Sequence, residues 1–155
     1  MNTIGRAWQF AEEIKNNPRS DKPPIVNPAV LGAIIDLGVC LDLIDSESLE
    51  LVKESYRILE MSSQALGMKL PQNKKGKDSV DLLLRNLDCL VIESLHAGNL
   101  PFSYDSVRGV FWEGEELYHN AGFKEKNHIQ VCIRNPNCIK GYFLPRKLDA
   151  AYKKV

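Results

Sequence analysis

Residues 3–16 carry hydrophobic side chains at the spacing of a short amphipathic helix. Ala7, Phe10, Ala11 and Ile14 recur every three or four residues, which places them on one helical face. The next segment, NNPRSDKPPIVNP, contains prolines and no periodicity, which predicts a loop. A nearly continuous apolar run then follows Pro28 and ends at Gly38. Its length and its Val and Ile content favour a buried strand.

Residues 47–66 have the periodicity of a longer helix with recognisable ends. Asp45 and Ser46 are suitable N-cap residues, since their side chains can accept from the first free amides. Gly67 is a suitable C-terminal stop, because glycine tolerates the left-handed conformation that often ends a helix. The apolar positions at helical spacing are Leu49, Val52, Tyr56, Leu59 and Leu66.

A second main helix is predicted over residues 79–97. Asp78 or Ser79 would cap it, and Asp81 would lie in its first turn. Apolar residues cover most of its circumference, which is typical of a helix buried on more than one side. Charged residues in such helices usually have structural partners, and we expect this of Asp88.

The C-terminal part of the chain has the alternating pattern of β-strands. We predict strands at residues 107–111, 128–134 and 138–143; in the second, Ile129, Val131 and Ile133 share one face. The turn signal Asn135-Pro136-Asn137 predicts that the last two strands pair as a hairpin. Residues 112–127 form a long irregular loop, which in a compact domain is usually functional or mobile.

This order of elements predicts an α+β fold with a mixed or antiparallel sheet and two main helices. We expect a single domain over residues 1–155, comprising an N-terminal helix and Pro-rich loop (1–27), a core (28–145) and a tail (146–155) that is either a short helix or disordered. The sequence contains no Gly-rich phosphate loop, G-x-S-x-G elbow or H-E-x-x-H motif. Common nucleotide-triphosphate, hydrolase and zincin functions are therefore disfavoured.

Composition narrows the class of protein further. The 155 residues are 44% hydrophobic, and 20 Lys and Arg balance 20 Asp and Glu, so a whole-domain basic field for nucleic acid is not indicated. No apolar run is long enough for a membrane span, and the N-terminus does not resemble a signal peptide. The basic segment KLPQNKKGKD is either a solvated loop or a weak phosphate-binding signal.

The four cysteines indicate reduced thiols and a cytoplasmic protein. Cys40, Cys89 and Cys132 lie in apolar segments, as buried free cysteines do, and we predict that Cys89 and Cys132 are buried and reduced. Cys132 and Cys138 are too far apart in sequence for a zinc knuckle, and the histidines have no paired helical spacing. A metal site is therefore not predicted.

The C-terminal motifs carry a family resemblance. The segment HIQVCIRNPNCIKGYF, with VRGVFWEG before it, resembles the last strands of the ADP-ribosyltransferase fold of poly(ADP-ribose) polymerase type. The whole chain, notably VLGAIIDLGVCLDL and LLLRNLDCLVIESLH, is also similar to a group of uncharacterised bacterial proteins. The resemblance implies half of an ADP-ribosyltransferase-like fold and NAD as cofactor. It also implies a macromolecular acceptor.

Five residues become site candidates through this resemblance. Gln130 lies where the family has its catalytic Glu, and Glu113 is an acid in the preceding loop. Arg108, Trp112 and Arg134 are candidates for cofactor binding, since arginine forks suit phosphates and an aromatic ring can stack. Each also has an ordinary structural explanation. Gln130 would then be an ordinary polar residue of a strand, and Glu113 a turn residue. The two arginines would form ion pairs with surface acids, and Trp112 would anchor a loop on the core.

Two departures from the family lead to two alternative functions. Glutamine carries no charge to stabilise an oxocarbenium-like transition state, and the family's NAD-gripping strands would precede Met1. We therefore expect an ADP-ribosyltransferase-like domain that is incomplete or inactive. The alternative is a non-catalytic interaction module, such as a partner in a toxin–antitoxin or phage-defence system.

Overall fold

A computed structural model describes residues 3–18, 21–76, 81–82, 84–97 and 103–145. Three helices and five strands follow one another in the order α1 (Thr3–Asn16), β1 (Gly32–Ile35), β2 (Cys40–Asp42), α2 (Ser46–Ala65), α3 (Asn86–Ala97), β3 (Ser106–Phe111), β4 (His128–Ile133) and β5 (Ile139–Phe143). A single turn of 3₁₀ helix, Pro136–Cys138, separates the last two strands. The α+β expectation is confirmed, and α1 has the bounds that its periodicity predicts. The tail at 146–155 and the helix start predicted at residues 79–80 lie outside the described residues.

The chain divides into two compact units. The first comprises Met1–Asp36 and Ile139–Val155, and the second comprises Leu37–Cys138. In the first unit, β1 and β5 form a two-stranded antiparallel ladder in which Gly32 is opposite Phe143. The buried strand predicted between Pro28 and Gly38 is wrong in its burial, since Ile34 is 60% exposed. A two-stranded ladder cannot shield both of its faces, so an apolar run does not guarantee burial.

The second unit contains a three-stranded mixed sheet in the order β2-β3-β4. β2 runs parallel to β3, and β3 runs antiparallel to β4. The chain between the two parallel strands contains α2 and α3, as a parallel pair requires a long crossover. The strands predicted at 107–111 and 128–134 are confirmed within one residue at each end.

The core of the second unit forms where one face of the sheet meets the helices. Leu41 of β2 is fully buried and clusters with Leu95 of α3 and with Tyr104. The two helices also share a polar contact, because the Ser55 hydroxyl on α2 donates to the Val91 carbonyl of α3 at 3.1 Å. Burial of these apolar side chains supplies the main stabilising free energy of this unit.

Helix α2 begins and ends where its sequence signals predict. The Asp45 carboxylate accepts from the Ser48 amide at 3.0 Å, which satisfies one of the free N–H groups of the first turn. Beyond the helix, Gly67 has a φ of 64°, the left-handed conformation that glycine adopts without a Cβ penalty.

Helix α3 is shorter than predicted. It begins at Asn86, and Leu84 before it forms an isolated antiparallel bridge with Lys74. The amides of Leu87 and Asp88 donate to the side chain of Asn73, at 2.9 and 3.3 Å, so a residue from a distant loop caps the helix. The predicted cap, Asp78 or Ser79, lies outside the described residues. Because of these tertiary contacts, residues 84–85 belong to the segment before α3 and not to the helix.

The predicted hairpin between the last two strands is wrong. β4 pairs with β3, whereas β5 pairs with β1 in the first unit. The Asn135 side chain instead accepts from the Asn137 amide and donates to Asp105, which holds the segment after β4 against the start of β3. Turn residues there mark the end of a strand without returning the chain to the same sheet.

The prediction that Cys89 and Cys132 are buried is also wrong. Both are exposed, Cys40 is half-buried and Cys138 is buried, and all four thiols are free of disulfides. Cys132 lies on an edge strand and Cys89 faces outward from the first half of α3. Apolar neighbours in sequence did not bury these positions, because too few elements cover the helix and the strand.

Candidate functional site

The strands of the second unit sort the candidate residues onto two faces. One face lies toward the helices, and Leu41 of β2 belongs to it together with alternate residues of β3. The residues of β3 on this face are Val107, Gly109 and Phe111. Their partners on β4 are, in the same order, Cys132, Gln130 and His128. Arg108 and Val110 occupy the outer face, next to Asp42 and to the aliphatic side chains of β4. Arg108 and Gln130 therefore lie on opposite faces of the sheet.

Gln130 is engaged by its neighbour on the strand. Its side-chain nitrogen lies 2.7 Å from Nε2 of His128, and Nδ1 of His128 lies 2.6 Å from the Lys126 carbonyl oxygen. A neutral imidazole with its proton on Nδ1 fits both bonds, because it donates to the carbonyl and accepts from the amide. Gln130 thus acts as a hydrogen-bonding group and supplies no negative charge.

An aromatic and cationic cluster surrounds this pair. The ring of His128 stacks near Phe111 at a centroid distance of 5.8 Å, and the guanidinium of Arg85 lies 5.0 Å from the Phe111 centroid. Arg85 donates to Asp88 at 2.5 Å, and Asn73 donates to the same carboxylate at 2.8 Å. Asp88 therefore has the structural partners expected of it.

Local sequence patterns did not indicate His128, Phe111 and Arg85 as neighbours of Gln130. The two-residue spacing of His128 and Gln130 on a strand could have revealed the first contact, since such residues share a face. The other two contacts depend on the β3–β4 register and on the position of Arg85 before α3, which no local pattern indicates.

Arg108 is held by a carboxylate on the neighbouring strand. Its Nε donates to Oδ1 of Asp42 at 3.2 Å, and its Nη2 donates to Oδ2 of the same residue. The Arg108 guanidinium lowers the pKa of Asp42 below its usual value. This bidentate pair uses the guanidinium donors with which Arg108 would bind a phosphate.

Arg134 forms a longer ion pair, and its partner lies on helix α3. Its Nη1 lies 3.5 Å from Oε1 of Glu93 on α3, and the Glu93 side chain is largely exposed. An exposed ion pair of this kind contributes little to stability and can be exchanged for another anion. The two arginines therefore differ: Arg108 is fixed in a bidentate pair and Arg134 is weakly held on the helix side.

Glu113 and Trp112 lie at the base of the loop that connects β3 to β4. The Glu113 carbonyl accepts from the Lys126 amide at 3.0 Å, and Glu115 and Leu117 make similar backbone bonds with Glu125 and Phe123. The loop is thus a hairpin-like excursion and is not structureless. Trp112 is 56% exposed, so it is not an anchor buried in the core.

Asp81 holds this loop in place. It lies before α3 and not in the first turn of a helix, so its predicted position is wrong. Its carboxylate accepts from the Lys124 ammonium at 2.8 Å and from the Gly114 amide at 3.0 Å. These two bonds, the Lys124 bond first, lower the pKa of Asp81. Gly114 has a φ of 88°, which favours glycine at this turn. Asp81 is separated by more than thirty residues from both partners, so only the fold reveals its role.

Two surface concavities in the described residues are lined by none of the five candidates. One, of about 590 Å³, lies along α2 beside Leu51 and Glu54, and the other, of about 390 Å³, lies in the first unit between α1 and residues 25–31. Within the described residues, no group of three or more His, Cys, Asp or Glu side chains is placed to hold a metal ion. Gln130, Glu113, Arg108, Trp112 and Arg134 remain predictions as site residues.

Comparison with known proteins yields no relative: no family model, no curated protein and no solved structure matches this chain. In the described ranges, every helix is too short or too polar to cross a membrane.

Proposed function

We propose that this chain is an ADP-ribosyltransferase-like domain without transferase activity, which works as a non-catalytic binding domain for a protein partner. A member of a toxin–antitoxin or phage-defence pair is such a protein. The observation that carries the proposal is the separation of the candidate residues: Arg108 is paired on one face of the sheet, and Gln130 is bonded to His128 on the other.

The chemistry of Gln130 supports the absence of transfer. Cleavage of the nicotinamide–ribose bond develops positive charge on the ribose, and a nearby carboxylate stabilises that charge. An amide has only a dipole to offer, and the nitrogen of this amide is already committed to His128. Binding of a ribose hydroxyl would be left to the amide oxygen.

The state of Arg108 argues against a phosphate site on the outer face. A diphosphate would have to displace Asp42, whose side chain is only 27% exposed. A carboxylate that is largely removed from water and loses its partner costs free energy. Arg134 is freer to move, but one loosely held arginine gives little affinity.

Exposed apolar side chains support a binding role. On the outer face of the sheet, Val110 of β3 lies beside Ile129 of β4, and both are exposed, at 41% and 57%. Adjacent exposed aliphatic residues of this kind often mark an interaction surface. We place the protein in the cytoplasm, and its four free cysteines support a reducing location.

Isothermal titration with NAD tests the catalytic half of the proposal. We expect a dissociation constant no tighter than millimolar, about −4 kcal/mol, and no release of nicotinamide. The Gln130→Glu variant restores the family's acid and should remain inactive, because Arg108 stays paired with Asp42. A micromolar constant that Gln130→Ala abolishes and the outer-face control Val110→Thr retains would disprove the proposal.

Co-expression with the products of neighbouring genes tests the binding half. We expect one of them to copurify in a fixed ratio, independently of NAD. Ile129→Lys should abolish the complex by placing a charge on the outer face, whereas Gln130→Ala should leave it intact. The opposite pattern would move the binding surface to the helix side and contradict the outer-face argument.

A further inference from the structure

β4 is an edge strand of the three-stranded sheet, and its backbone polarity can be worked out from neighbouring bonds. The Arg108 carbonyl accepts from the Leu43 amide, so the backbone groups of Arg108 point toward β2. The Asp105 carbonyl, just before β3, accepts from the Arg134 amide. By alternation along β3, the backbone groups of Val107, Gly109 and Phe111 therefore point toward β4. The groups of β4 that bond to β3 are therefore those of His128, Gln130 and Cys132.

The remaining backbone groups of β4 point away from the sheet. These belong to Ile129, Val131 and Ile133, which form no backbone hydrogen bond outside the β3–β4 ladder in the described ranges. Three outward N–H groups and three outward C=O groups thus form a regular row along this edge.

The β4 edge lacks the features by which proteins usually protect an edge strand. Its sequence, HIQVCI, contains no proline, no lysine and no acidic residue, and its pairing with β3 continues without a bulge. The opposite edge of the sheet is different, because β2 has only three residues and ends in the charged Asp42. A six-residue apolar strand with a free row of donors and acceptors is a template for another strand.

We propose that β4 pairs with the β4 strand of a second copy of this chain, in antiparallel orientation about a two-fold axis near Val131. The strand is self-complementary in this register. Val131 lies opposite its own equivalent, and Ile129 lies opposite Ile133, so every outward group meets a partner of the opposite kind.

The side chains support the same register. Opposed β-branched residues pack favourably across antiparallel strands, and each of the three opposed pairs is built from Ile or Val. The strand carries no like charges that would repel across the axis. The two sheets become one continuous sheet, and the aliphatic outer faces of both copies join. This inference concerns the strand edge and does not depend on whether the chain binds NAD.

Sedimentation equilibrium with the full chain tests the proposal. We expect the mass to rise with concentration from 17.5 kDa toward twice that value. Val131→Pro removes an N–H that points outward and leaves the ladder to β3 intact, so it should weaken dimerisation about tenfold or more. Val131→Thr keeps both the N–H and the branched shape and should dimerise like the wild type.

A second substitution tests the same contact in case the proline variant does not fold. Val131→Lys places two like charges opposite each other at the axis, and it should give a folded monomer by circular dichroism and sedimentation. A wild-type chain that stays monomeric into the high-micromolar range would overturn the proposal. Dimers that persist in both Val131→Pro and Val131→Lys would also overturn it.

Cross-linking tests the register itself. In the proposed pairing, position 130 lies opposite the partner's Cys132 in a pair without backbone hydrogen bonds, where the Cα atoms approach to about 4.5 Å. Gln130→Cys, with Cys89 changed to Ser, should therefore oxidise to a covalent dimer on a non-reducing gel. The matched control, Ile129→Cys in the same background, faces the other side of the sheet and should not. Equal cross-linking of both would contradict the register.

Discussion

In the described residues, every buried side chain belongs to the second unit, whereas β1 of the first unit leaves Ile34 60% exposed. Both units contain a strand ladder and at least one helix. The second unit has two helices whose side chains pack over one face of three strands, with Leu41 between them. The first unit has a two-stranded ladder and one helix.

Two units built from the same types of element therefore bury very different amounts of apolar surface. A central strand such as β3 has neighbours on both sides and helices over one face, so an apolar residue on that face, such as Val107, is shielded from water. A strand in a two-stranded ladder keeps one edge and much of both faces in contact with solvent. We therefore expect the second unit to resist unfolding more strongly than the first. The chain carries one tryptophan in each unit, Trp8 and Trp112, which allows separate measurement after replacing the other by Phe.

The largest expected effect is that of Leu41→Ala. Leu41 is fully buried, so its truncation leaves a cavity and should lower the free energy of unfolding of the second unit by about 3 kcal/mol. The matched change in the first unit, Ile34→Ala, should cost less than about 1 kcal/mol, because its side chain is mostly exposed. Urea titrations followed by Trp112 and by Trp8 fluorescence measure the two effects. Equal losses would break the comparison.

A pair of glycine substitutions should show the next largest difference. Gly38 has a φ of 58°, and an added Cβ would lie 2.5 Å from Oδ2 of Asp105. That oxygen accepts from the Val39 amide, so Gly38→Ala should destabilise the second unit by about 2 kcal/mol. Gly141 on β5 has open space around its Cβ position, and Gly141→Ala should stay within about 0.5 kcal/mol of the wild type. The same urea titrations measure the free energy of unfolding of both variants. A Gly38→Ala variant as stable as the wild type would show that the turn relaxes.

Two asparagines sharpen the comparison at helix ends. Asn73 caps α3 from a distant loop, so Asn73→Ala should cost about 1 kcal/mol. Asn17 donates its side-chain amide to the Glu13 carbonyl at the exposed end of α1, and Asn17→Ala should cost only a few tenths, about 0.3 kcal/mol. Amide hydrogen exchange at Leu87 should speed up in the first variant alone. Unchanged exchange there would contradict the capping role.

The smallest effect concerns acid pH. The pKa of Asp81 in the folded protein is lowered below its ordinary value by the hydrogen bond from Lys124 and by that from the Gly114 amide. A lowered native pKa means that the unfolded chain takes up a proton first as pH falls. This stabilisation is therefore complete at neutral pH and declines progressively from about pH 5 down through the lowered pKa. Asp81→Asn should therefore weaken the acid dependence of the second unit's stability, and Lys124→Met should do the same. Stability measured by Trp112 from pH 7 to pH 3 checks this, and an unchanged slope in both variants would disprove it.

Local patterns predicted several elements well because those elements have local causes. The stripe of Ala7, Phe10 and Ile14 predicts α1, and the side chain of Asp45 caps α2 within its own first turn. The alternation along β3 and β4 likewise predicts strands. The start of α3 failed because Asn73 and Lys74, from another segment, bind residues that the helix pattern would otherwise include.

The candidate site shows the same limit. The sequence placed Gln130 on a strand with alternating polar positions, which the structure confirms. It could not show that Arg108 points to the opposite face with Asp42, because that depends on the parallel register of β2 and β3. Nor could it show that Asp81 and Lys124 meet, since their contact requires the loop after β3 to return to the segment before α3.

Local sequence patterns were enough to predict the α+β class, the bounds of α1 and α2 and the positions of β3 and β4. Helix caps and apolar spacing act over a few residues, so the local sequence carries this information. Three features follow from the tertiary structure alone: β4 and β5 join different sheets, Cys89 and Cys132 face solvent, and the backbone groups of Val131 point away from β3. These outcomes depend on which distant strands pair and in what register, and pairing is set by the burial and hydrogen bonding of the whole unit.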